Sequence, residues 1–409
     1  MSAPRSRTSV VSYLAFLAIV MAVGVDIALP AFDQIARTFG MTNTGGAIAP
    51  VGTCYFLGMA TGQLIFGPAA DRFGRNRCLI VGISLAIIGA FGAAMAPSFG
   101  LLLLARGVWG LGAASPAVLR TAIARDLFEG DEMASVVSTI MAVFLIGPIF
   151  VPGVGQLILQ IGSWRAVFLA ATLVAAFGLV WTIRFGETLK PEDRRQFDLA
   201  SFAGGLRAVA RARPTVWYIL AQTFTTGAFV IFLGSGQPII DHQYHRGSQF
   251  AVYFGIAGAA MALGLLANNR LILQFGAAAT ARGVSVSLVL CGAVGLGLMF
   301  AAHGRPAFLV WFIWVLVCNM HLVVLSPMCS ALALGPMGEL AGTASAILGF
   351  VTLAGGALLA SLVDGFIVNT TTPMGVGYLG YGILAAGCVV LAQRAAGVAG
   401  VQTAPAATG

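Results

Sequence analysis

Long apolar runs separated by short polar breaks fill most of the chain. They lie at about 11–31, 46–69, 78–96, 99–122, 134–160 and 164–183, and resume at 216–239, 250–273, 283–302, 306–331, 342–367 and 374–394. Each is close to the roughly 20 residues that carry a helix across the hydrocarbon core of a bilayer. The pattern predicts an all-α membrane protein with twelve transmembrane helices. The longest polar break, 184–215, mixes Glu187, Glu192, Asp193 and Asp198 with arginines and a lysine and divides the runs six and six. The expected organisation is an N-terminal six-helix bundle over 1–184, a cytoplasmic linker over 185–213, a C-terminal six-helix bundle over 214–396 and a disordered cytoplasmic tail over 397–409. Ser201 to Arg213 alternates apolar residues and arginines at helical spacing, as expected of an amphipathic helix on the cytoplasmic leaflet or of a plain linker. The halves share hydropathy rather than an evident sequence repeat, and pseudo-symmetric halves with a site at their interface are a common transporter plan.

Composition removes the soluble alternative. Hydrophobic residues make up 59% and charged residues 9%, with a mean hydropathy of +0.94, against roughly 25% charged residues in soluble domains. The six cysteines fall in or at the edges of apolar runs, where cysteine acts as a small buried hydrophobe. The formal charge of +8 has a topological cause rather than a nucleic-acid one. Of the 22 basic residues, only Arg37, Arg165, Arg246 and Arg305 fall in the odd-to-even loops, and Arg106 lies inside a span. The rest gather at the N-terminus, the even-to-odd loops and the C-terminus. The positive-inside rule then places both termini in the cytoplasm. The basic start followed by an apolar run resembles a signal peptide, but Asp26 interrupts it and no small-x-small cleavage site follows; it is read as a retained first span.

Several motifs stand on this frame. The loop after the second run reads Gly67-Pro68-Ala69-Ala70-Asp71-Arg72-Phe73-Gly74-Arg75-Asn76-Arg77. Gly67 is expected to allow close helix packing, Gly74 a tight turn, and Asp71 a pairing with the arginines. Its G-x-x-x-D-R-x-G-R spacing resembles the signature loop of the major facilitator superfamily. Leu104-Ala105-Arg106-Gly107-Val108-Trp109-Gly110 is similar to the fourth-helix motif of that superfamily. Asp26-Ile27-Ala28-Leu29-Pro30 resembles the D-x-x-L-P of its twelve-helix drug:proton antiporters. Pro148, Pro152 and Gly155 match the fifth-helix antiporter motif, with Val151 and Gln156 where glycine is usual. The paired prolines, Trp164-Arg165 and Glu187-Thr188 resemble the bicyclomycin/chloramphenicol-resistance (Bcr/CflA) branch, and Phe229 and Pro238 do so more loosely.

The resemblance implies a proton-coupled secondary transporter in a bacterial inner membrane. It would export small amphipathic compounds, among them phenicol- or bicyclomycin-like antibiotics, by alternating access. It implies no cofactor beyond the proton gradient; the expected partners are a small-molecule substrate, protons and lipid, with no nucleic acid, and the chain is expected to be a monomer. It also implies a cytoplasmic gate built from Asp71, Arg75 and Asp126, beside Arg120 and Arg125. Read from the residues themselves, Asp26 is a carboxylate deep in a span, and such a group is paired, protonated or functional. Helix direction puts Asp26 and Arg106 at comparable depth, as a proton-carrying pair or a static ion pair. Tyr55, Phe144, Gln222, Phe229, Asn319 and His321 are expected to line a substrate cavity, and His321 is equally readable as a ring satisfied by a neighbouring hydroxyl. His242 and His245, at i and i+3, have no third ligand in the sequence, so no metal site is expected. Two other functions remain: a proton-coupled importer of a small nutrient, and a membrane-embedded enzyme, for which no catalytic constellation is present.

Overall fold

Helix α1 (Arg7–Asp26) ends where its sequence withdraws a backbone donor. Pro30 has no N–H to return to the carbonyl of Asp26 four residues back, and the chain passes through a tight turn at Leu29–Ala31 into the short α2 (Phe32–Thr38). The predicted first span is thus a helix broken at its acidic residue. The structure, a computed structural model, describes residues 6–41, 46–189, 192 and 199–403. After α2 come α3 (Pro50–Phe73), α4 (Arg75–Met95), α5 (Phe99–Leu127), α6 (Gly130–Ile161) and α7 (Trp164–Phe185). The surface helix α8 (Leu199–Arg211) follows, then α9 (Arg213–Pro238), α10 (Phe250–Phe275), α11 (Ala277–Ala301), α12 (Phe308–Leu334), α13 (Ala341–Asp364) and α14 (Thr372–Thr403).

Eleven of these helical stretches, among the described residues, are long and apolar enough to cross a membrane. α3 is long enough at 24 residues but is interrupted by Gly52, Thr53, Gly58, Thr61, Gly62, Gln63 and Pro68. It trades apolar content for close packing. At Gly58 a Cβ would overlap the Gly107 carbonyl of α5, and at Gly62 it would lie 2.5 Å from the Ala114 Cβ; small residues let these backbones approach. Gly67, expected to serve the same purpose, does not: a Cβ there would meet only Val118 Cγ1 at 4.0 Å. The close approach belongs to the middle of α3, where the helices cross. Large apolar side chains point outward, with Leu104 65%, Leu173 71% and Leu266 68% exposed. A water-soluble surface does not carry such a load; a lipid-facing one does.

The described chain divides into two compact units that cut across the predicted halves. The first comprises 1–197 with 232–259 and 364–369, and the second 198–231 with 260–363 and 370–409. In the first, α1 is central, with Tyr13, Leu14, Leu17 and Ala18 fully buried, and it packs against α5, α6 and α7. In the second, α11 packs on α12 and α14. α8 covers most of the stretch read as amphipathic: Gly205 and Val209 are buried while Arg207 and Arg211 are exposed. Residues 190–191 and 193–198 of the predicted linker lie outside the described residues. The tail read as disordered from 397 continues α14 to Thr403, because alanine and valine at 395–401 permit a helix to run on; 404–409 lie outside the described residues.

Candidate functional site

Of the buried charged side chains in the first unit, three on α1 and α5 define the site: Asp26 at the end of α1, 4% exposed, and Arg106 and Arg120 on α5, 1% and 6% exposed. Among the described residues the ion pairs are Arg7–Glu132, Arg37–Asp33, Arg75–Asp71, Arg75–Asp126 and His242–Asp33, and none of the three takes part. Arg106 does reach α1, but through backbone. Its Nη1 donates to the Gly24 carbonyl at 3.0 Å, two residues before Asp26, and its Nε donates to the Val51 carbonyl of α3 at 3.1 Å. The guanidinium carbon sits 4.4 Å from the Tyr55 ring centroid and 4.8 Å from that of Trp109. Arg106 therefore clips α1, α3 and α5 together and leaves the Asp26 carboxyl outside the clip. Tyr55, expected in a cavity, is instead fully buried against Gly24 and Arg106.

Arg120 occupies a different place from the one its sequence position suggests. Rather than joining Asp126 at the end of α5, it turns into the bundle, where Nη1 lies 3.6 Å from Met21 Sδ and the guanidinium 5.2 Å from the Phe144 ring. Its Nε has no hydrogen-bond partner among the described residues. The signal was available: Arg120 falls inside the apolar run 99–122. The fifth-helix motif packs on the same region. Of the glycines and prolines that α6 carries there, Gly155 faces the α1 break, where a Cβ would lie 2.5 Å from the Ile27 carbonyl and 3.0 Å from Pro30 Cγ. Pro148 and Pro152 lie inside α6 to either side of the exposed Phe150.

The signature loop forms a second cluster. Arg75 Nη1 meets Asp71 Oδ1 at 2.5 Å and its Nε meets Asp126 Oδ2 at 3.1 Å, so one guanidinium joins α3, α4 and α5. Arg72 is exposed and stacks over Phe73. Gly74 adopts φ +101°, and a Cβ there would overlap the Glu187 carboxylate. That carboxylate, from the segment after α7, accepts from the backbone N–H of Arg75 at 2.8 Å and of Asn76 at 3.4 Å. Glu187 thus caps the start of α4 in place of a local side chain, where the helix dipole favours a negative group. Nothing in the sequence marks this contact, because an acid that meets a glycine turn in space has no fixed spacing from it along the chain.

The remaining expected cavity residues lie in the second unit, where the three polar ones are hydrogen-bonded to neighbours. Gln222 donates to Ser326 Oγ at 3.2 Å and accepts from Ser330 at 2.8 Å. Asn319, fully buried, donates to the Val315 carbonyl and accepts from Tyr378 OH at 3.2 Å. Both ring nitrogens of His321 are engaged, Nδ1 with the Val317 carbonyl at 2.7 Å and Nε2 with Ser287 Oγ at 2.9 Å. Phe229 is half-buried on α9.

A membrane-embedded helical bundle with charged groups sequestered around a broken first helix, and an arginine-acid cluster at a glycine turn, is a frame that suits a transporter. The model of the Major Facilitator Superfamily matches residues 14–361, and the chain belongs to that superfamily. Within it the chain falls in the bicyclomycin-resistance (Bcr/CflA) branch of the drug:proton antiporters. It is 30% identical to a bicyclomycin resistance protein homolog of Haemophilus influenzae over 88% of this chain and 90% of that one. It is 24% identical to multidrug resistance protein MdtL of Vibrio parahaemolyticus over 80% and 81%. In fold it is similar to a D-xylose–proton symporter, with a TM-score of 0.73 at 16% identity over 95% of this chain and 97% of that one.

Proposed function

We propose that this protein exports small amphipathic compounds, antibiotics of the phenicol or bicyclomycin type among them, across a bacterial inner membrane in exchange for protons, with both termini in the cytoplasm. Its relatives named for bicyclomycin and multidrug resistance support the substrate class. The observation that carries the mechanism is the state of Asp26: buried, at the break of α1, and outside the bonds that hold Arg106. A carboxyl locked to a guanidinium would stay ionised through the cycle. One that is buried and not bound to a guanidinium can take up a proton on one side and lose it on the other as access alternates. Arg106 holds the frame around it, tying α1 at Gly24 to α3 and α5. Asp71, Arg75 and Asp126 form the cytoplasmic gate, the Arg75 bridges fixing the turn between α3 and α4 against the end of α5.

The test uses the purified protein in proteoliposomes with an imposed pH gradient and chloramphenicol as probe. Transport is expected to follow the gradient, to stop when an ionophore collapses it, and to fall to background in Asp26→Asn. Transport that ignores the gradient, or that survives in Asp26→Asn, overturns the mechanism. Whether the probe is driven out of or into the cytoplasm-equivalent side separates export from import.

A further inference from the structure

We infer that the turn after α9 and the helix after α1 together form a binding site for a transition-metal dication of the zinc type, with Asp33, Asp241 and His242 as ligands. The histidines alone offered no third ligand. His245, three residues on, lies exposed at φ +54° and takes no part. The missing ligands come from its neighbour Asp241, in the turn Ile239–Gln243, and from Asp33 of α2. One ligand atom from each of the three residues lies within 4.8 Å of the others.

The spacing suits the metal. His242 Nε2 stands 3.4 Å from Asp33 Oδ1. Two ligands held about 2.0–2.2 Å from zinc at a tetrahedral angle are separated by about 3.4 Å, so an ion fits between these atoms with little movement. The Asp241 oxygen, within 4.8 Å of the other two ligand atoms, belongs to a half-buried side chain on a turn that can close the remaining gap. Arg37 already binds the other oxygen, Asp33 Oδ2, at 2.8 Å. It leaves Oδ1 for the ion and fixes the carboxylate plane, as outer partners of metal ligands do. Two carboxylates match the charge of a dication, and the imidazole selects zinc, nickel or cobalt over magnesium or calcium. Three protein ligands leave a fourth position for water. The side chains are 17% exposed at Asp33 and 29% at His242, open enough for the ion to enter. Occupancy ties α2 to the end of α9.

The experiment is zinc titration of the detergent-purified full chain, prepared without a polyhistidine tag and followed by calorimetry, with the cobalt absorption spectrum as a second readout. Wild type is expected to bind one zinc per chain. Asp33→Asn and His242→Ala are each expected to weaken binding by at least about tenfold, because a ligand loss costs no less than loss of an outer partner. His245→Ala is expected to leave binding unchanged. The cobalt spectrum should lack a thiolate charge-transfer band, since the six cysteines lie elsewhere. Absence of binding in wild type, binding that survives His242→Ala and Asp33→Asn, or a thiolate band each overturns the site. None of these readouts depends on transport.

Discussion

Arg106 and Arg120 are two arginines of one helix, both buried, and they differ in what surrounds them. Arg106 was visible in the sequence as a charge within an apolar run, but its partners were not. They are the carbonyls of Gly24 and Val51, and a backbone oxygen carries no residue identity for a motif to record. The guanidinium fork serves both carbonyls while its flat face stacks on Tyr55 and Trp109. An ammonium cannot do both. Arg106→Lys is therefore expected to destabilise the protein by about 2–3 kcal/mol, the scale of a charge-assisted hydrogen bond and a buried cation–π contact. Arg120 has a thioether, an aromatic ring and an unsatisfied Nε in place of a counter-charge. Exchanging a buried charge for a well-packed apolar side chain of similar length is often stabilising, by about 1 kcal/mol or more. Arg120→Met is expected to raise the thermal unfolding midpoint in detergent while lowering chloramphenicol transport. Opposite shifts in the two variants are the signature; a matching loss of stability in both shows that Arg120 is structural.

At the scale of helices and turns, apolar runs located the spans because hydrocarbon demands them, and they misjudged the ends because helices outlast the membrane. α5 runs to Leu127 and α3 to Phe73, each beyond its apolar stretch, since a helix keeps its backbone bonds into the interface whatever its side chains. The signature loop was legible as a motif and its glycine as a turn. Its second function was hidden, because Gly74 is also the space in which Glu187 reaches the first N–H groups of α4. Substituting Gly74 by alanine meets two obstacles, a φ of +101° and that carboxylate. A left-handed conformation of this kind costs about 1–3 kcal/mol in a residue with a side chain. Glu187→Gln keeps an acceptor and loses only the charge at the helix start, about 0.3–1 kcal/mol. Gly74→Ala should lower the unfolding midpoint clearly more than Glu187→Gln; the reverse order would mean that the cap, not the turn, holds this loop.

Across the whole chain, the asymmetry of arginines and the structure of the loops that carry them make one argument about orientation. Among the described residues, the arginines assigned to the cytoplasmic side are exposed, such as Arg72, Arg77, Arg125, Arg184, Arg270 and Arg282, as charges that answer to lipid headgroups and the membrane potential should be; the buried Arg75 and Arg120 are the exceptions. Three of the few on the other side are occupied with protein. Arg37 is paired with Asp33, Arg165 reaches the Ala96 carbonyl over the Trp164 ring, and Arg246 bonds Tyr253 and Gln249. They are retained for local contacts, so they do not weaken the bias that sets topology. A cysteine introduced at Thr38 or Ser248, in a variant with the six native cysteines replaced, is expected to react with a membrane-impermeant maleimide in intact cells. One introduced at Arg72 or Arg184 is expected to react only after the membrane is opened. Labelling of Arg72→Cys in intact cells would invert the whole arrangement: the gate of Asp71, Arg75 and Asp126 would then face outward, and the direction of proton-driven transport would have to be reversed with it.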